Sequence, residues 1–204
     1  MLEAGVFAID DDAPLRDSLH FLFSSAGFPV QVFDSASSFL ELLPRVQSGC
    51  VLTDIRMPEI DGIELLKRVK KEKPILSVVV MTGHGDIPLA VEAMKLGAID
   101  FIEKPFDDKR LIDTVRSVLE GVADAGKEET ISAQITGRVA TLSARERQVL
   151  EGLVAGLPNK AIARNYNISP RTVEVYRANV MTKMQAVSLS ELVRLAIRAG
   201  VLTD

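Results

Sequence analysis

Hydrophobic and polar positions alternate with two different periods along this chain, and the change of period divides it. Over residues 1–121, short β-branched or apolar runs alternate with stretches whose apolar residues recur at helical spacing. The runs predict strands near 5–9, 29–33, 49–53, 75–81 and 99–103. Between them the spacing predicts helices near Pro14–Ala26, Ser37–Leu43, Ile63–Lys71, Pro88–Leu96 and Lys109–Leu119, several of them stopped by a glycine such as Gly27, Gly97 or Gly121. Repeated strand–helix units with short connections imply a five-stranded parallel sheet covered by helices on both faces, an α/β fold most like flavodoxin.

Residues 122–140 are poor in large apolar side chains and are expected to be a linker. Either a flexible tether or a stiff extension of the fifth helix through Ala123 to Gln134 fits that composition. From 141 to 204 the pattern is all-helical, with helices expected near 144–155, 159–166, 170–184 and 189–199. Their starts are strongly signalled. Ser143 with Glu146, and Ser188 with Glu191, read as capping boxes. Ser169-Pro170 places a cap before a proline at the first helical position. Ile168 with Val173, and Val187 with Leu192, are spaced as hydrophobic staples.

Composition separates the two parts further. Residues 1–124 hold 13 Lys and Arg against 21 Asp and Glu, a net charge of −8, whereas residues 125–204 hold 11 against 7, a net of +4. An acidic part suits a cation and a basic part suits phosphates. The single cysteine, Cys50, allows no internal disulfide and sits among apolar neighbours, as a core residue would. No apolar run approaches the ~20 residues of a membrane helix, and no basic-then-apolar leader is present, so a cytoplasmic location without membrane contact is expected.

Four of the apolar runs end in chemistry. The first leads into Asp10, Asp11 and Asp12, the third into Asp54, the fourth into Thr82, and the fifth into Lys104-Pro105. In open α/β sheets, sites form outside the carboxyl ends of the strands. Asp54 is the expected phosphoryl acceptor. A carboxylate oxygen is a weak nucleophile, so a magnesium ion is expected to neutralise the incoming phosphoryl oxygens. Asp11 can supply a second carboxylate ligand and Asp10 can hold a bound water, because Mg2+ takes oxygen donors and keeps several waters. Lys104 offers a point charge and Thr82 a hydroxyl to phosphoryl oxygens. Asp12, just before Ala13-Pro14, fits a helix cap better than a ligand.

Asp10-Asp11, the stretch Asp54-Ile-Arg-Met-Pro-Glu-Ile-Asp-Gly62, Thr82-Gly83 and Phe101-Ile-Glu-Lys104-Pro105 resemble the receiver domain of two-component response regulators. The resemblance implies that Asp54 takes phosphate from a phosphohistidine on a sensor kinase, in a step the receiver itself catalyses. It implies Mg2+ bound by Asp11, Asp54 and the Arg56 carbonyl, with Asp10 acting through water. It also implies a cis Lys104-Pro105 peptide, and a switch in which Thr82 moves to the phosphate and the Phe101 ring turns inward. Arg56 and His84, two residues past Asp54 and Thr82, are placed to tune phosphate loss, or are plain loop residues.

In the basic part, residues 159–184 read as helix, turn, helix. On the second of these helices Val173, Tyr176, Val180 and Met184 form a core stripe. Arg171, Glu174, Val175, Ala178 and Thr182 form the opposite stripe, flanked by Arg177, Asn179 and Lys183. Short side chains there would let the helix enter a major groove, Glu174 could accept from cytosine, and Val175 could touch thymine methyls. Lys160, Arg177 and Lys183 would neutralise phosphates, while Ser169 and Thr172 lie at a helix start whose amides suit a phosphate. Leu142-Ser-Ala-Arg-Glu-Arg-Gln-Val-Leu150, Gly156-Leu-Pro-Asn-Lys-Ala-Ile-Ala163 and Ser169-Pro-Arg-Thr-Val-Glu-Val-Tyr176 resemble the LuxR-type output domain of the NarL/FixJ family. The loop Thr82-Gly-His-Gly-Asp86 and the run Ser169-Pro-Arg-Thr-Val-Glu-Val175 most resemble the FixJ branch of that family. That branch implies a haem-based oxygen-sensing kinase, RNA polymerase as a partner, and control of nitrogen-fixation or microaerobic genes.

The expected function is thus a transcriptional activator on duplex operator DNA, dimerising when phosphorylated through a face near Val91, Lys95 and Ile99, or releasing its DNA-binding domain. An aspartate-nucleophile phosphatase with a helical cap is the competing enzyme. It requires a second acid two residues after the nucleophile, where this chain has Arg56. A flavin-binding domain would carry a Ser/Thr/Gly-rich loop after the first strand, and here three aspartates stand. No Gly-x-x-x-x-Gly-Lys loop occurs.

Overall fold

The computed structural model describes residues 5–83, 87–120 and 135–201, with the side chain of residue 87 left aside. These residues form two compact units, one of residues up to 83 with 95–120, the other of residues 87–94 with 135–201. The expected linker conformation over 122–134 and the position of His84 lie outside the described residues.

The first unit carries the parallel sheet. Its strands are β1 (Gly5–Ile9), β2 (Val30–Phe33), β3 (Gly49–Asp54), β4 (Ser77–Thr82) and β5 (Asp100–Glu103), in the order β2-β1-β3-β4-β5. All four pairings are parallel, and β1 and β3 run in register with Ile9 opposite Thr53. The helices between residues 5 and 120 are α1 (Ala13–Ser25), α2 (Ala36–Leu42), α3 (Gly62–Glu72), α4 (Ile87–Lys95), whose residues 87–94 cluster with the second unit, and α5 (Asp108–Leu119). The fourth strand starts later than its hydrophobicity suggested: Ile75 precedes it and is largely exposed.

Alternation along the central strands makes two cores. Val6, Ala8, Cys50, Leu52, Val79, Met81 and Ile102 face Leu19 and Phe23 of α1 and Leu111 and Val115 of α5. On the opposite face, Phe7 meets Phe39 of α2 with ring centroids 5.6 Å apart. Strands buried on both sides have to be apolar throughout, which is why β1, β3 and β4 read as continuous runs. Cys50 lies fully in this core, where burial pushes its thiol up to about 12, so it is no nucleophile at neutral pH.

The second unit contains a helix through residues 135–140 (α6), then α7 (Ala144–Val154), α8 (Asn159–Asn165), α9 (Pro170–Met184) and α10 (Leu189–Arg198). Helix thus begins before residue 141, and Ile135 and Val139 are buried. On α9 the expected core stripe holds: Val173, Val180 and Met184 are buried and Tyr176 is half-buried. Ser143 and Glu146 make the full capping box on α7. At α10 only half of one forms. Ser188 Oγ accepts from the Glu191 amide at 3.1 Å, but the Glu191 carboxylate accepts from Val187 N at 2.9 Å. Turned outward by that turn, Val187 is 93 % exposed, so it makes no staple with Leu192.

Candidate functional site

The strand order puts the site where it is. The crossovers from β1 and β3 leave in opposite directions, which opens a crevice beyond the carboxyl ends of these neighbours. Asp10 and Asp11 follow β1, and Asp54 is the last residue of β3. Thr82 ends β4, and Lys104 follows β5 directly, with its amide donating to the Thr82 carbonyl at 2.7 Å.

Lys104 ties this end of the sheet together. Its ammonium donates to Asp10 Oδ2 at 2.8 Å and makes a short ion pair with Asp54 Oδ1. Asp10 is almost fully buried, and its other oxygen accepts from the Asp12 amide at 2.9 Å. Asp54 Oδ2 accepts from the Arg56 amide at 2.8 Å. Burial raises the Asp54 carboxyl above the usual aspartate range, although Lys104 opposes the rise. Burial alone would lower Lys104, but the hydrogen bonds and charges of Asp10 and Asp54 outweigh it and hold the ammonium above the ordinary lysine value. The peptide from Lys104 to Pro105 is cis.

The other expected site residues fall as follows. Asp11 is exposed beside the crevice. Asp12 caps α1, accepting from the Leu15 amide at 3.2 Å. The buried Thr82 hydroxyl donates to the Gly83 carbonyl at 3.0 Å. Phe101, on β5, is buried. Among the expected dimer residues Lys95 is exposed, Ile99 half-buried and Val91 buried.

Magnesium fits this donor set. Among the described residues no group of three acidic, His or Cys side chains forms a ready cage. Mg2+ needs no such cage, since it binds through one or two carboxylates and keeps its waters. Asp11 and Asp54, at the ends of adjacent in-register strands, are oxygen donors of that kind.

Two contacts near Asp54 had no clear sequence signal. The Arg16 guanidinium donates to the Asp10 carbonyl at 2.7 Å, which steadies the acidic loop. Gly62 packs its backbone against Asp54, and its amide donates to the Ile55 carbonyl at 2.9 Å. The glycine stood within the recognised stretch, but only the fold shows what it touches.

In the helical unit Ser169 caps α9, accepting from the Thr172 amide at 3.0 Å. Arg171, Glu174, Val175, Ala178 and Asn179 project into solvent, Val175 with more than half its surface open, and Arg177 is half-buried. Lys160 on α8 is exposed. Lys183 is the exception. Instead of reaching out for a phosphate, its ammonium pairs with the buried Glu146 carboxylate at 2.6 Å and also reaches the Thr141 carbonyl at 3.3 Å. The Lys183 hydrogen bond holds Glu146 below the usual carboxylate range. Among the described residues no helix is long and apolar enough to cross a membrane.

Comparison with known proteins follows the same division. Residues 6–116 match the response regulator receiver domain, and residues 140–196 match the luxR family of bacterial regulatory proteins. The chain is 62% identical over 199 residues to the transcriptional regulatory protein FixJ of Bradyrhizobium diazoefficiens, covering 98% of this chain and 97% of that protein. It is 49% identical over 200 residues to FixJ of Rhizobium meliloti, covering 98% of each. A crystal structure of full-length FixJ from B. japonicum matches with a TM-score of 0.57 at 60% identity, covering 100% of both chains. This chain belongs to the two-component response regulators, as a FixJ-like transcription regulator with a receiver domain and a LuxR-type DNA-binding domain.

Proposed function

We propose that Asp54 accepts a phosphoryl group from a sensor histidine kinase, and that the modified chain binds operator DNA through α9 as a dimer and activates transcription. The observation that carries this is Lys104, held between Asp10 and Asp54 at the crevice between β1 and β3. Receiver domains generally use Mg2+ for phosphorylation. Asp11, Asp54 and the Arg56 carbonyl would hold the ion, with Asp10 acting through water, and bound there it would neutralise charge on the phosphoryl oxygens.

The chain's own residues do the rest. Lys104 keeps the buried Asp54 ionised and therefore nucleophilic. The Arg56 amide holds Asp54 Oδ2 and the Lys104 ammonium holds Oδ1, so the carboxylate is fixed in one orientation before transfer. After transfer Lys104 faces a phosphoryl group with more charge than the carboxylate it paired with. The Thr82 hydroxyl must then give up the Gly83 carbonyl to reach a phosphoryl oxygen. That exchange is the first movement of the switch.

In the helical domain Arg171, Glu174, Val175, Ala178 and Asn179 would face base edges. Lys160, Arg177 and the amides at Ser169 and Thr172 would meet phosphates. Similarity to FixJ supports nitrogen-fixation or microaerobic genes as targets, with an oxygen-sensing haem kinase and RNA polymerase as partners, in the cytoplasm. A phosphatase is disfavoured because Arg56 occupies the position of its general acid.

The test is to incubate the chain with Mg2+ and acetyl phosphate and to follow mass, oligomer size and DNA binding. The proposal expects all three to change in the wild type and none in Asp54→Asn. Modification at another residue would overturn it.

A further inference from the structure

Lys183 lies in the last turn of α9, on the helix that the proposed function places in the major groove, and although its side chain is 38 % exposed its ammonium is paired with the buried Glu146. Glu146 is buried and accepts from both the Ser143 amide at 2.8 Å and the Lys183 ammonium at 2.6 Å. Close by, the Arg138 guanidinium on α6 donates to the Met184 carbonyl at 3.2 Å, one of the helix-end carbonyls that α9 cannot satisfy itself. Thr141 joins the two contacts: its carbonyl accepts from Lys183, and its hydroxyl donates to the Arg138 carbonyl at 2.7 Å. The carboxyl end of α9 is therefore gripped by residues 138–146 of its own unit.

We propose that Lys183, Glu146 and Arg138 form a clamp that positions the recognition helix, with Lys183 acting through Glu146 rather than on a DNA phosphate. The inference rests on the reading of α9 as the groove-entering helix. A buried carboxylate must stay paired, so the Lys183–Glu146 contact has one favoured geometry. Val175 lies eight residues before Lys183, about 12 Å along the helix at ~1.5 Å per residue. A tilt of ~10° about the clamp would move it by about 2 Å, enough to break hydrogen bonds to base edges held within a few tenths of an ångström. The clamp thus governs sequence recognition without touching DNA.

Salt dependence separates the two roles of a lysine. A phosphate contact contributes about 0.9 to the slope of log affinity against log salt, whereas a positioning residue contributes nothing. The full chain, treated with acetyl phosphate and Mg2+, would be titrated against a duplex selected by the wild type from a randomised library, and against an unselected duplex. Lys183→Met and Glu146→Gln should each weaken selected binding about 10-fold or more, leave unselected binding and the salt slope unchanged, and be matched by a milder loss in Arg138→Met. Lys183→Arg, which can still pair with Glu146, should restore selected binding. Lys160→Met should instead lower the slope by about 0.9 on both duplexes.

The proposal is overturned if Lys183→Met lowers the slope as Lys160→Met does, or if Lys183→Met and Glu146→Gln leave selected binding intact. Thermal melting shows which variants are folded at the assay temperature, and should Lys183→Met be unfolded, Glu146→Gln and Lys183→Arg decide. If Glu174→Ala leaves the sequence preference untouched, the reading of α9 itself fails, independently of the clamp.

Discussion

Gly62 and Asp54 meet backbone to backbone: a Cβ on Gly62 would run into the Asp54 carbonyl oxygen. The amide of Gly62 meanwhile donates to the neighbouring Ile55 carbonyl, so the start of α3 is pinned against the phosphoacceptor strand. Gly62→Ala should therefore push Asp54 out of place and cost about 1–3 kcal/mol. Urea unfolding would show the loss, and acetyl phosphate labelling should be slowed in the fraction that remains folded.

Without metal, the Asp54 carboxyl should protonate above the ordinary aspartate range. Burial is the first cause of its raised pKa, so its ionised form is lost as pH falls through that raised value. Lys104 works against the shift, hence Lys104→Met should raise it further. NMR titration of the carboxyl group in the presence of a chelator would show it. A midpoint that stays put in Lys104→Met would contradict the charge balance described here.

The same raised value has a consequence for stability. An acid whose folded pKa exceeds its unfolded one favours the fold when protonated, and that advantage fades as pH climbs from about 3.8 through the folded value. Asp54→Asn should thus melt higher than the wild type at neutral pH, and the gap should close at pH values below the ordinary aspartate range. Calorimetry at several pH values is sufficient to see the trend.

Removal of Mg2+ should leave the fold intact, because Lys104 already compensates Asp10 and Asp54. A chelator is expected to abolish labelling at Asp54 while leaving circular dichroism and melting temperature within error. Unfolding on chelation would point to a structural metal instead.

Two cap positions should behave oppositely. Ser143→Ala removes the serine half of a complete capping box and should cost about 1 kcal/mol. Val187→Ser, at a residue almost wholly in solvent, should change stability by less than about 0.5 kcal/mol. Denaturant midpoints of the two variants would rank them.

Single base contacts should be separable from affinity. Glu174→Ala is expected to relax specificity at one base pair by about 1–3 kcal/mol with little effect on the salt slope. Competition among duplexes with single substitutions would measure it.

Apolar runs that have to be buried on both faces mark β1, β3 and β4 in the sequence itself, and capping residues mark α7, α9 and α10. Asp10, Asp54, Thr82 and Lys104 were legible for a related reason: each follows such a run, and a parallel sheet brings strand ends together. Local order along the chain was enough for those inferences, because period and capping act over a few neighbouring residues. What Lys183 does was not legible, since an exposed-looking lysine on a basic helix finds Glu146 only when α7 and α9 pack. Val187 has the spacing of a staple with Leu192 but stands in solvent, because spacing says nothing of how a turn aims its side chain. Likewise the crowding of Gly62 on Asp54 and the burial of Phe101 depend on contacts between segments distant in the chain, and distance in space is set by packing, not by order.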